Sequence, residues 1–150
     1  MIDTSKTRTR TRVATYLIGT KGDEILLAFR QNVGHMNKMW SLVAGHVYER
    51  ESPKEGMIRE FEEECGLRLK AEELETIGMM YSKCDDFDYI NLIYKADLTG
   101  KKIVNQEPHK CGALTFHSLA SLPEPMDPYI KKIIRKSFEK NVWICENGFS

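Results

Sequence analysis

Residues 45–67 read GHVYERESPKEGMIREFEEECGL, and this stretch decides how the chain is to be read. Ser52-Pro53-Lys54-Glu55 marks a helix start twice over, as a Ser-x-x-Glu capping box and as proline at the first helical position; Gly66 supplies the stop. The predicted helix therefore runs from Pro53 to Cys65. At about 100° per residue, Glu60, Glu63 and Glu64 share one face, while Met57, Ile58, Phe61 and Cys65 form an apolar stripe on the opposite one. Gly56, one turn before Glu60, leaves the acidic face uncrowded. Like charges at this spacing cost a helix about 0.2–0.5 kcal/mol per pair. Arg59 can partner Glu63, yet one guanidinium cannot neutralise Glu51, Glu60, Glu62, Glu63 and Glu64 together. A hard divalent cation with oxygen ligands, Mg²⁺ or Mn²⁺, is the natural complement. For an isolated E-x-x-E-E a solvated acidic face is the competing reading, so the surrounding residues carry the decision.

Outward from this helix, the preceding residues alternate as a hairpin: an apolar run Val13 to Ile18, a Lys21-Gly22-Asp23 turn, then Ile25, Leu27 and Phe29. A polar loop, residues 31–39, leads to a short strand from Trp40 to Val43. Beyond the helix, Thr76 to Lys83 and Tyr89 to Ala96 form a second hairpin around the acidic turn Asp85-Asp86-Phe87-Asp88. Leu114 to His117 is a last short strand. Pro128-Tyr129-Ile130 opens a closing helix with Ile130, Ile133, Ile134 and Phe138 on one stripe. Strands and helices interleave, so the fold class is α/β, a mixed sheet packed between helices.

Residues 1–11 read as a basic arm and residues 12–150 as one domain. At the start of the chain Lys6, Arg8, Arg10 and Arg12 alternate with threonines, which in an extended chain puts the cations on one side; this stretch is read as a solvated arm or edge strand, with an RNA or nucleotide contact as the alternative. Lys plus Arg and Asp plus Glu both total 22, so no global field draws the chain to nucleic acid or an acidic membrane. The absence of any long apolar run argues against a membrane span, and the polar start against a signal peptide. Cys65, Cys84, Cys111 and Cys145 are scattered singly and read as reduced, mostly core thiols, in keeping with a cytoplasmic protein. A homodimer is left open.

The quoted segment is similar to the Nudix box, G-x5-E-x7-R-E-U-x-E-E-x-G-U with U a bulky apolar residue, at Gly45, Glu51, Arg59, Glu60, Phe61, Glu63, Glu64, Gly66 and Leu67. With seven fixed positions drawn from average usage, a chance match is on the order of 10⁻⁸ per window. The approach Trp40-Ser41-Leu42-Val43-Ala44-Gly45 resembles the family's W-x-L-P-G-G, with Val43 and Ala44 replacing proline and glycine. Asn105 to Pro108 and Phe116 to Pro123 resemble a second, degenerate signature. The resemblance implies the Nudix α/β/α sandwich and a MutT-like hydrolase of nucleoside diphosphates linked to another group.

By that resemblance Glu60, Glu63 and Glu64, with the carbonyl of Gly45, hold Mg²⁺ or Mn²⁺, while Glu51 and Arg59 orient loop and helix. Glu60 and Glu107 are the candidates for general base; Glu107 is otherwise a further metal ligand or an ordinary loop acid. Arg30 is a phosphate contact or a solvated strand end. Asp127 is a base reader or the N-cap of a helix opening with Pro128. Leu114 and Phe116 stand where some purine-handling relatives carry tryptophan, and Phe116 is kept as a substrate-binding candidate. His35, Trp40, Tyr81, Phe87 and Tyr89 are further stacking candidates, each otherwise a core or loop residue. His46 and His109 are not expected as ligands, since oxygen suits Mg²⁺ better. The substrate expected is a nucleoside triphosphate, cleaved to the monophosphate and pyrophosphate. The alternatives are a nucleotide sugar, ADP-ribose, a dinucleoside polyphosphate, or a non-catalytic nucleotide-binding module.

Overall fold

The computed structural model describes residues 6–149. Its first helix, α1, spans Pro53–Cys65 as the capping signals require: Ser52 accepts from the Glu55 amide, Glu55 returns the bond, and Gly66 closes the helix at φ 73. The strands are β1 (Thr11–Lys21), β2 (Glu24–Arg30), β3 (Trp40–Ser41), β4 (Val43–His46), β5 (Glu75–Lys83), β6 (Asp88–Asp97), β7 (Cys111–Ser118) and β8 (Trp143–Asn147); α2 spans Pro128–Lys136. They form an eight-stranded sheet ordered β3-β2-β1-β6-β5-β8, with β4 also on β1 and β7 also on β2. β1 runs parallel to β6 over Thr11 to Thr20, whereas β5 and β6 form the predicted antiparallel hairpin.

The opening hairpin separates early. β1 and β2 pair only at Thr20–Ile25 and Lys21–Glu24. Beyond that point β1 takes β4 as its partner, setting Gly45 opposite Thr15, and β2 takes β3 and β7. The divergence places Gly45 beneath α1, which is how the fold begins to build a site.

Alternate side chains serve two cores, because successive strand residues point to opposite faces. Leu17, Leu26, Val43 and Tyr94 pack with Met57, Ile58, Phe61 and Cys65 of α1. Their neighbours Ile18, Leu27, Leu42 and Ile93 pack with Ile130, Ile133 and Ile134 of α2. The sheet is thus sandwiched between helices, and α1's apolar stripe is spent on the sheet, leaving its acids outward.

Four expectations are corrected. The strand foreseen from Trp40 to Val43 is two short ones, β3 and β4, on different partners. Leu114 to His117 is only the middle of β7. Phe138 is 61% exposed rather than on the buried stripe. The reason is that α2 ends at Lys136, with the Ser137 amide bonded back to Ile133 and Ile134, so helical phase is lost before Phe138. Of the cysteines only Cys65 is core; Cys84 is exposed and the other two are half-buried. β8 was not foreseen at all: it lies parallel to β5, its Trp143 indole laid over Gly78, where a Cβ would collide with the ring.

Candidate active site

Arg59 is the hub of the site. Its Nε donates to Glu51 Oε2 at 2.7 Å and its Nη2 to Glu51 Oε1 at 3.0 Å, a bidentate pair. Nη1 reaches Glu60 Oε1 at 2.9 Å and both Glu63 oxygens at 3.4 Å, and Nη2 also donates to the His46 carbonyl at 2.9 Å. Its guanidinium carbon lies 3.9 Å over the Tyr48 ring. Glu51 accepts the Tyr48 amide as well, at 3.0 Å, so the loop between β4 and α1 is clamped onto the helix. These bonds hold the Glu51 carboxyl below its ordinary range, the Arg59 pair being the largest cause.

Gly45 and Gly56 make room for this arrangement. A Cβ on Gly45 would collide with the Glu60 side chain, and one on Gly56 would meet Glu51 Oε1 and Val47. The Gly45 carbonyl also receives a long bond, 3.4 Å, from Thr15 Oγ1.

Glu64 stands differently from its neighbours. Its Oε2 is sealed from solvent and has no hydrogen-bond partner. Burial, then the nearby charges of Glu60 and Glu107, push its carboxyl up to about 8. Glu60 is also raised, by burial first, although Arg59 opposes the shift. An unpaired buried carboxylate is costly unless something positive meets it.

Glu107 reaches this cluster because its loop closes the end of α1. The Val104 amide donates to the Cys65 carbonyl and the Gln106 amide to the Glu64 carbonyl, each at 3.0 Å, satisfying acceptors that a helix end leaves open. Asn105 braces the turn, accepting from the Glu107 amide at 3.1 Å and donating to the Cys111 carbonyl at 2.7 Å. The charge of Arg30, at the end of β2, opposes the upward shift of Glu64. The Arg30 guanidinium is fixed by two bonds to the His35 carbonyl, at 3.0 and 3.1 Å.

The structure therefore brings together Gly45, Glu51, Arg59, Glu60, Glu63 and Glu64, with Glu107 and Arg30 alongside. Among the described residues no three acidic, histidine or cysteine side chains already stand in ligating geometry. Glu60 Oε1 and Glu63 are instead paired with Arg59. The residues still fit a hard divalent cation, because Glu64 Oε2 is orphaned and the donors are all oxygens. Asp127 and Phe116 are not part of this cluster. Asp127 Oδ1 accepts the Tyr129 amide at 2.8 Å as the N-cap of α2. Phe116 lies opposite Leu26 in β7, against the α1 core, with Lys21 Nζ 4.2 Å over its ring. Sequence reasoning missed Tyr48, the His46 carbonyl and Asn105. Tyr48 and His46 sit at variable box positions, and Asn105 was seen only as a lead-in to Glu107.

The NUDIX domain family model matches residues 8–137. The chain belongs to the NUDIX family. It is a Nudix hydrolase, and its reaction class is hydrolysis of nucleoside diphosphate-linked substrates. Similar folds include the MutT NUDIX hydrolase of Burkholderia pseudomallei, at TM-score 0.75 and 22% identity over 85% of this chain and 98% of that one. The MutT protein of Methanosarcina mazei Go1 matches at 0.74 and 20%, covering 88% and 96% of the two chains. The NUDIX domain of Shewanella oneidensis NrtR, solved in complex with ADP ribose, matches at 0.68 and 16% over 91% of each. Among the described residues no helix is long and apolar enough to cross a membrane.

Proposed function

We propose that this Nudix hydrolase is a divalent-metal-dependent pyrophosphohydrolase of small nucleotides, converting a nucleoside triphosphate to its monophosphate and pyrophosphate. The observation that carries the reading is Glu64, whose sealed, unpartnered Oε2 beside Glu60 and Glu107 calls for a cation. Glu60, Glu63, Glu64 and the Gly45 carbonyl would hold Mg²⁺ or Mn²⁺. When bound, the ion supplies charge neutralisation at the phosphate oxygens and lowers the pKa of water. Arg59 and Glu51 keep the acids in place, the guanidinium stacked on Tyr48 and paired with Glu51. Arg30, pinned at one edge by the His35 carbonyl, offers its remaining N–H groups to a phosphate.

Glu107 takes the proton of the attacking water. It is better suited than Glu60, whose Oε1 is already engaged by Arg59, whereas the nearest cation to Glu107 is Lys110 at 3.9 Å. The water oxygen bonds to phosphorus, the bridging P–O bond breaks in line, and the electron pair leaves with the departing phosphate group. A second reading, ADP-ribose as substrate, is supported by likeness to a domain solved with that ligand. The free cysteines agree with a reducing, cytoplasmic setting.

A phosphate-release screen over nucleoside triphosphates, ADP-ribose, nucleotide sugars and dinucleoside polyphosphates, with Mg²⁺ or Mn²⁺, tests the proposal. The largest kcat/KM is expected for a triphosphate. A larger value for ADP-ribose replaces the first reading with the second, and no turnover of any of them refutes both.

A further inference from the structure

We infer that the cavity beside the β4–α1 loop is the recognition site for the substrate's nucleobase, with the stacked His46–Tyr89 pair as its platform. The inference rests on the nucleotide pyrophosphohydrolase reading and names the part of the ligand that reading leaves unplaced.

The platform is built by register. β1 lies between β4 and β6, with Ala14 opposite His46 and Arg12 opposite Tyr89. Ala14, opposite His46, is small, and the His46 and Tyr89 rings stack, centroids 5.7 Å apart and 26° from parallel, with Tyr89 Oη 3.3 Å from His46 Nε2. Each ring thus fixes the other before any ligand arrives, which lowers the ordering cost of stacking.

His46 lines a cavity of about 600 Å³ together with Thr11, Arg12, Val13, Tyr48 and Glu51. That is the size range of small-molecule pockets. Its charges disfavour phosphate there: Glu49 and Glu51 line it alongside the single cation Arg12. Arg12 is itself held flat, its guanidinium carbon 3.8 Å from the Phe87 ring centre. A planar heterocycle with donors and acceptors on its edge suits this lining, stacking on the imidazole and presenting that edge to the fixed guanidinium fork.

The cavity shares a wall with the acids. The His46 carbonyl accepts Arg59 Nη2 at 2.9 Å, and Glu51 both lines the cavity and binds Arg59. Glu51 and the His46 backbone thus belong to both the cavity and the acid cluster. By contrast, Asp127 is engaged in capping α2.

The test has two arms on the full chain. In the first, metal-free protein is titrated with millimolar adenosine, guanosine, cytidine or uridine, and the His46 ring resonances are followed by NMR. At least one nucleoside should shift them saturably, and ribose 5-phosphate should not. In the second, H46A and Y89A should each raise KM for the best triphosphate about tenfold or more with kcat little changed, whereas H46F, which keeps an aromatic face, should stay nearer the wild type. Silent His46 resonances with every nucleoside, or KM within about twofold of wild type in both alanine variants, overturns the inference. Nucleoside shifts in a protein that hydrolyses no nucleotide support the platform and refute the pyrophosphohydrolase reading; hydrolysis with unmoved KM does the reverse.

Discussion

Replacing Glu64 with glutamine removes a carboxylate whose Oε2 is sealed and unpartnered, so its two effects should run in opposite directions. kcat should fall about a hundredfold or more, as it does when a group stabilising transition-state charge is lost. Metal-free melting temperature at pH 8 should rise, because a buried charge is gone. Turnover assays and thermal melts in EDTA check both; retained activity with a lower Tm contradicts the assignment. A pH dependence follows from the same residue. The folded-state pKa, about 8, lies above the ordinary 4.5, so the folded protein holds a proton that the unfolded chain releases between those values. Metal-free stability should therefore fall as pH rises through that window and level off above it. Glu60, shifted in the same direction, adds to the slope. Glu51 has the opposite sign: its stabilisation is full at neutral pH and is lost on acidification into and below the ordinary carboxylate range. Melts from pH 5 to 9 should show the decline in wild type and a flatter profile in E64Q; an equal slope in both sinks the Glu64 assignment. At this scale the box acids were legible because their spacing is rigid. Tyr48 and the His46 carbonyl were not, since a stacking contact and a backbone acceptor leave no residue-type signal.

The loop from Ile103 to Glu107 works as an element, closing the end of α1 and so aiming an acid. Asn105→Ala should remove the brace at Glu107 and Cys111, lowering kcat several-fold while costing about 1 kcal/mol of stability, near the worth of its hydrogen bonds. A variant with full kcat and only the stability loss would show that Glu107 needs no positioning. At the start of α2, Asp127→Ala should cost about 0.5–2 kcal/mol as a lost N-cap. Base preference should stay unchanged, because its Oδ1 is engaged by the Tyr129 amide. Relative kcat/KM for several triphosphates, measured beside Tm, decides; altered preference at constant stability restores the base-reading role. α1 was legible to the residue because caps and periodicity agreed. β8 was not, because its five residues carry only Trp143 and Cys145 inward and its partner β5 lies some sixty positions earlier in the chain. The early separation of β1 from β2 was hidden for a related reason. A hairpin's alternation reports that two strands exist, not how far they stay paired.

For the whole molecule, the sandwich spends both helices' apolar faces on the sheet and leaves a set of acids that Arg59 only partly offsets. Divalent metal should therefore stabilise the folded protein, by about 2.7 kcal/mol at a hundredfold excess over its dissociation constant. Calorimetry with and without millimolar Mg²⁺ or Mn²⁺ checks this, and an unmoved melting temperature counts against a metal site. The most direct measurement is ³¹P NMR of a nucleoside triphosphate incubated with the wild-type protein and with E64Q, each in Mg²⁺ and in EDTA. Monophosphate and pyrophosphate resonances should appear only for wild type with Mg²⁺. Their appearance in EDTA, or at the wild-type rate with E64Q, would contradict a metal-dependent site built on Glu64.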